Sequence, residues 1–68
     1  MNLNVKLIGK RIKEVRTARR IPQNILAEKC DISDSYLSLI ECGRRMPCLD
    51  VIVRIAKELA TSMDSLLE

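Results

Sequence analysis

Three serines and three cysteines are the side chains of this sequence best suited to nucleophilic chemistry. Ser33, Ser35 and Ser38 fall close together, and Cys30, Cys42 and Cys48 lie on either side of them. A hydroxyl or thiol attacks efficiently when a neighbouring base removes its proton, and that base is most often histidine. The chain has no His, and no pair of carboxylates sits at a recognisable catalytic spacing. Histidine is also the commonest metal ligand. No two of the cysteines are separated by the two-residue gap of a zinc knuckle, so neither a metal nor a cofactor is expected. An odd cysteine count excludes a closed disulfide framework and fits reduced thiols. Capping and solvent exposure account for the serines. The expectation is a binding protein and not an enzyme.

The binding chemistry on offer is cationic. Twelve Lys and Arg stand against nine Asp and Glu in 68 residues, a formal charge of +3. The excess is concentrated at one end. Residues 1–20 carry Lys6, Lys10, Arg11, Lys13, Arg16, Arg19 and Arg20 against Glu14 alone. Residues 21–68 hold five bases and eight acids. A basic end on a small domain is the footprint of a phosphate binder, and a solvated helix face gives the same pattern. No long apolar run suggests a membrane span. Met1–Lys10 contains no apolar segment of the signal-peptide kind. A cytoplasmic or nucleoid-associated protein is the expectation.

These residues must be positioned by helices. Ile8, Ile12 and Val15 make one apolar stripe, which predicts a helix from about Val5 to Arg19. Pro22 suits the first turn of the next helix, Gln23 to Cys30, where Leu26, Ala27 and Cys30 share a face. Asp31-Ile32 predicts a tight turn. Ser33 is a natural N-cap for a third helix, Asp34 to about Glu41, with Tyr36, Leu37 and Ile40 inward. Gly43 ends it. A fourth helix runs from Cys48 or Leu49 to Leu59, with Leu49, Ile52, Ile55, Ala56 and Leu59 inward. Ser62 caps a short fifth, Met63 to Leu67. No segment alternates with a period of two, so the fold class is all-α, and one domain, residues 1–68, is expected. Two short helices joined by a tight turn, from about 23 to 41, form a helix-turn-helix. The second can lie in a DNA major groove while the first crosses the backbone.

The order of these pieces resembles a known family. Ile8-Gly9-Lys10-Arg11-Ile12-Lys13-Glu14-Val15-Arg16, then Gln23, then Leu26-Ala27-Glu28-Lys29, is similar to the start of the Cro and phage-repressor type of helix-turn-helix regulator, the xenobiotic-response-element-like group. Ile32-Ser33, Ser35-Tyr36-Leu37-Ser38, Ile40-Glu41, Gly43-Arg44-Arg45 and Pro47 continue it. So do Leu49, Ile55-Ala56-Lys57, Leu59, Ser62, Asp64 and Leu66-Leu67. The resemblance covers residues 8–67. It implies a compact five-helix, lambda-repressor-like domain that binds double-stranded DNA as a homodimer, with no small-molecule ligand. The implied function is a sequence-specific transcriptional repressor on a pseudo-palindromic operator. An antitoxin, a restriction–modification controller, or a protein-interaction module that has lost base reading would share the same pattern.

The resemblance also assigns roles. Asp34, Ser35, Ser38 and Leu39 match positions that face base edges. Gln23, Arg11, Cys42, Arg44 and Arg45 match positions at the DNA backbone, Gln23 beside the positive end of its helix. Arg16 and Glu41 match an internal salt bridge, and two unpaired surface charges are the alternative. Leu39 is open to three readings: contact with a thymine methyl, contact with a protein partner together with Ile25, or a place in the core. Met63, Leu66 and Leu67 are either dimer contacts or core. Cys30 reads as a small core residue, while Cys42 and Cys48 flank the basic loop, where a redox role is conceivable. Departures from the pattern carry expectations of their own. Asp31, Arg20 and Ala60 stand where Gly often ends a helix, Pro22 replaces a usual Ser cap, and Cys42 a usual Asn. These should lower stability or loosen helix ends, without changing the fold.

Overall fold

The computed structural model describes residues 4–67. Its five helices are α1 (Val5–Ala18), α2 (Gln23–Lys29), α3 (Asp34–Glu41), α4 (Leu49–Glu58) and α5 (Met63–Leu67), and no strand occurs among the described residues. They close around one core. Ile8 and Ile12 of α1 meet Leu26, Ala27 and Cys30, then Leu37 and Ile40, then Ile52, Ile55, Ala56 and Leu59, with Leu66 beneath. Val15, Ile21, Ile32, Tyr36, Met63 and Leu67 pack around the margin. Leu66 is fully buried, and Met63 and Leu67 are half-buried against the same core. The α5 apolar residues therefore hold the fold together.

Three helix starts, those of α1, α3 and α5, carry a local side-chain cap. Asn4 Oδ1 accepts from the N–H groups of Lys6 and Leu7 and caps α1. Ser33 Oγ accepts from Tyr36 N at 3.0 Å and caps α3. Ser62 Oγ accepts from Ser65 N at the start of α5. Pro22 is not inside the first turn of α2. It is the N-cap, in extended conformation at ψ 147°, and offers no side-chain acceptor.

The helix ends share one device. After α1, α2, α3 and α4 the chain turns through a residue at positive φ: Arg20 at 58°, Asp31 at 59°, Gly43 at 75° and Ala60 at 52°. Each end carries the same pair of backbone hydrogen bonds. Arg20 and Ile21 donate to Thr17 and Arg16, and Asp31 and Ile32 donate to Glu28 and Ala27. Gly43 and Arg44 donate to Ile40 and Leu39, and Ala60 and Thr61 donate to Lys57 and Ala56. This is the Schellman arrangement, which satisfies carbonyls a helix otherwise leaves bare. Only one of the four positions is the glycine that the left-handed conformation favours. Because these turns begin at the caps, α1, α2 and α4 each stop one residue before the ends expected at Arg19, Cys30 and Leu59.

One inward assignment on α4 fails. Leu49 is 72% exposed, while Val51, not assigned inward, is buried. Leu49 fits the helical period of the buried residues, but it occupies the first turn, where nothing covers that side. Periodicity fixes the face of a helix and says nothing of how far its neighbours extend.

Gly9 explains why α1 and α3 approach so closely. A Cβ there would stand 2.1 Å from the Ile40 carbonyl oxygen and 3.0 Å from that of Glu41. At the N-terminal end of α1, a Cβ on Gly43 would meet the Lys6 backbone at 2.8 Å. The end of α3 is thus pressed directly onto the α1 backbone.

Candidate nucleic-acid interface

The outer surface of α3 follows from its inner one. Leu37, Ile40 and Glu41 face inward. At roughly 100° per residue, Asp34, Ser38, Cys42, Ser35 and Leu39 then occupy one continuous arc of about 140° on the opposite side. Asp34, Ser35 and Cys42 are exposed, and Ser38 and Leu39 are half-buried. The four positions expected to face bases and the Cys42 position therefore share one surface. Leu39 is not among the core residues or those packed against them, which excludes the core reading. The same holds for Ile25, half-buried on α2.

What fixes the angle of α3 is an inward-facing acid. Arg16 Nε donates to Glu41 Oε2 at 2.6 Å, and Arg16 Nη2 donates to Glu41 Oε1 at 3.1 Å. The pair is enclosed, with the side chains 12% and 3% exposed for Arg16 and Glu41. Such a fork-to-carboxylate contact sets orientation as well as distance. Two further bonds complete it. Arg16 Nη1 donates to the Ile21 carbonyl at 2.8 Å, and Gln23 Nε2 donates to Glu41 Oε1 at 3.1 Å. One network thus ties α1, the α1–α2 connection, the first residue of α2 and the last residue of α3. No buried side-chain polar atom among the described residues lacks a partner.

Gln23 therefore has an internal duty that its sequence position did not suggest. One amide N–H is committed to Glu41, and its carbonyl oxygen and second N–H remain beside the start of α2. Arg54 is a second residue missed from sequence. Its Nη1 donates to the Cys30 carbonyl at 3.2 Å and its Nη2 pairs with Asp50 at 3.3 Å. It latches α4 to the turn between α2 and α3. The i,i+4 spacing marks its pairing with Asp50, but nothing in the sequence marks its reach to the Cys30 carbonyl. Gly9 did carry a signal, since a lone glycine inside an amphipathic helix costs about 1 kcal/mol against alanine unless packing requires it.

Two cations adjoin this surface, and the others are spread over α1 and its end. Arg44 and Arg45 are exposed in the loop after α3, and both their backbone N–H groups donate to the Leu39 carbonyl. Arg11 is half-buried on α1, and Lys6, Lys10, Lys13, Arg19 and Arg20 are exposed. Arg16 is withdrawn from the surface by Glu41. α3 itself brings no cation to its outer arc, only Asp34. Of the cysteines, Cys30 is buried while Cys42 and Cys48 are exposed and unpaired. Burial, with the Glu58 carboxylate adding to it and Arg54 opposing, pushes the Cys30 thiol above its ordinary range. Tyr36 is likewise raised, by burial first and by its contact with Cys48, whose sulfur lies 3.8 Å from the hydroxyl. No described helix is long and apolar enough to cross a membrane.

Residues 12–66 match a family described as helix-turn-helix. The chain belongs to the helix-turn-helix family. The control protein C.BamHI of Bacillus amyloliquefaciens is 34% identical over 70 residues, covering 100% of this chain and 86% of the relative. The immunity repressor protein of Bacillus phage phi105 is 37% identical over 59 residues, covering 87% of this chain but only 41% of the repressor. The chain thus spans well under half the length of that relative. Among solved structures, SinR of Bacillus subtilis, the master regulator for biofilm formation, has been determined in complex with DNA. It superposes with a TM-score of 0.84 at 34% identity, covering 90% of this chain and 98% of that one. The five-helix architecture is that of helix-turn-helix DNA-binding domains.

Proposed function

We propose that this protein is a sequence-specific DNA-binding transcriptional regulator, a repressor that occupies a pseudo-palindromic operator as a homodimer. The observation that carries the reading is the outer arc of α3, held at a fixed angle by the Arg16–Glu41–Gln23 network and flanked by the exposed Arg44 and Arg45. A helix so presented enters the major groove, where bases display distinct hydrogen-bonding edges. Asp34 accepts a hydrogen bond from cytosine N4, the hydroxyls of Ser35 and Ser38 donate or accept, and Leu39 meets thymine methyls. Arg11, Arg44 and Arg45 neutralise phosphates, and Gln23 and Cys42 lie against the backbone. Affinity then comes chiefly from the flanks and selectivity from a small, partly apolar surface. One copy reads too little sequence for useful selectivity, so two are required, on half-sites one helical turn apart.

The test separates these duties. Arg44→Ala and Arg45→Ala should weaken binding to all sequences nearly alike and make affinity less steep in salt, by about one unit of slope each. Affinity for duplex DNA that does not change with salt would count against the proposal. The near full-length match to C.BamHI favours a more specific reading, a control protein of a restriction–modification system. That reading requires the selected sequence to lie upstream of genes for such a system.

A further inference from the structure

Exposed large hydrophobic residues are unevenly placed on this molecule. Leu49 is 72% exposed, Val53 44% and Met46 40%. Leu49 and Val53 are one turn apart on the same side of α4, and Met46 lies three residues ahead of Leu49 in the loop. The other such residue among the described ones, Leu7, is on α1. A single exposed leucine is ordinary, but a cluster on one short helix marks a contact surface.

We propose that this α4 face, Met46, Leu49 and Val53, is where a second copy of the chain docks; the inference rests on the homodimer reading given above. Two features select a second copy over another partner. The first is charge. Asp50 and Arg54 border the apolar pair, each still partly exposed though they touch one another at 3.3 Å. A two-fold contact must be self-complementary. An antiparallel approach that sets Leu49 of one copy against Val53 of the other also brings Asp50 of one towards Arg54 of the other, twice over. The second is placement. Met46 directly follows Arg44-Arg45, so the face adjoins the DNA-facing loop without occupying the α3 arc. The domain measures 30 × 22 × 20 Å. Two copies of these dimensions meeting beside that loop leave both α3 arcs uncovered, as binding to successive major-groove faces requires.

Sedimentation velocity on the whole chain tests this. The wild type should dimerise with increasing concentration. Leu49→Glu and Val53→Glu, both at exposed positions, should keep the helical spectrum and weaken dimerisation about thirtyfold or more. Asp50→Lys should weaken it less, and Leu7→Gln on α1 should leave it unchanged. On DNA, the Leu49→Glu variant should lose affinity for the full palindrome while matching the wild type on an isolated half-site. A wild type that stays monomeric at every concentration overturns the inference. So does a Leu49→Glu or Val53→Glu variant that dimerises normally, or a dimer lost equally on Leu7→Gln. If dimers form and Leu49→Glu abolishes them, but neither protein binds any duplex, the interface stands and the DNA reading falls.

Discussion

Replacing Ala60 by glycine should make this protein more stable, although it removes a side-chain atom and adds no contact. Ala60 ends α4 at φ 52°. An L-residue in the left-handed region carries a penalty of about 1–2 kcal/mol that glycine escapes. Glycine gives part of this back, about 0.5–1 kcal/mol, through its greater freedom in the unfolded chain. The net gain is about 0.5–1 kcal/mol. For 68 residues total stability is roughly 3–10 kcal/mol, so the change is measurable. It corresponds to an upward shift of the thermal midpoint by about 2–8 °C in a domain of this size. Arg20→Gly at 58° should behave alike, while Asp31→Gly at 59° should gain less, because aspartate enters this region more readily. Gly43→Ala should go the other way and by more, since its Cβ meets the Lys6 backbone at 2.8 Å in addition to the strain. Urea unfolding, with the slope checked for constancy, reads all four. An Ala60→Gly midpoint at or below the wild type would mean that the left-handed conformation at residue 60 carries no strain.

Five other perturbations probe the scaffold and the site. Arg16→Ala leaves the Glu41 carboxylate enclosed with only Gln23 donating to it and removes the donor to the Ile21 carbonyl. It should cost about 3–5 kcal/mol in urea unfolding, a large share of the whole stability, and Arg16→Lys should recover only part; a loss below about 1 kcal/mol would show the network to be dispensable. Gly9→Ala should destabilise by about 1–3 kcal/mol or more despite better helix propensity, since α1 and α3 must separate; calorimetry showing an unchanged midpoint would contradict the close approach. Native-state alkylation should label Cys42 and Cys48 and spare Cys30. The raised Cys30 thiol also makes native stability fall as pH rises above the ordinary thiol value of 9.0, because the unfolded chain releases that proton first; the Cys30→Ala variant should show a shallower decline between neutral pH and pH about 10, where thiols ionise. Asp34→Ala should relax preference at one base pair by about 1–3 kcal/mol in competition binding, and a uniform tightening on every sequence would mean that Asp34 only repels phosphate.

The helices were legible because their apolar residues recur with the helical period and their caps are local. Ser33, Gly43 and Ser62 each do their work within a few residues of their own position, and so could be assigned in advance. The unusual C-terminal turns were legible from the family resemblance, which marks Arg20, Asp31 and Ala60 as positions where glycine is usual. What escaped were relations between segments. Nothing near Arg54 reveals that it reaches the Cys30 carbonyl, and nothing near Gln23 reveals that its amide serves Glu41. The exposure of Leu49 depends on how far neighbouring elements extend, which no periodicity contains. The α3 arc was legible as a set of residues, and its tie to α1 through Arg16 and Glu41 was implied by the resemblance; the bonds to Ile21 and Gln23 that complete the network were not.

On the function proposed above, the α3 arc reads DNA sequence in a two-fold-symmetric complex. Selection of bound duplexes from a random pool with the wild-type protein, followed by footprinting of the winners, tests it most directly. An inverted repeat with centres one helical turn apart should be enriched, protected symmetrically, and bound with an affinity that falls steeply with salt. A pool that stays random after repeated rounds at low salt would contradict it.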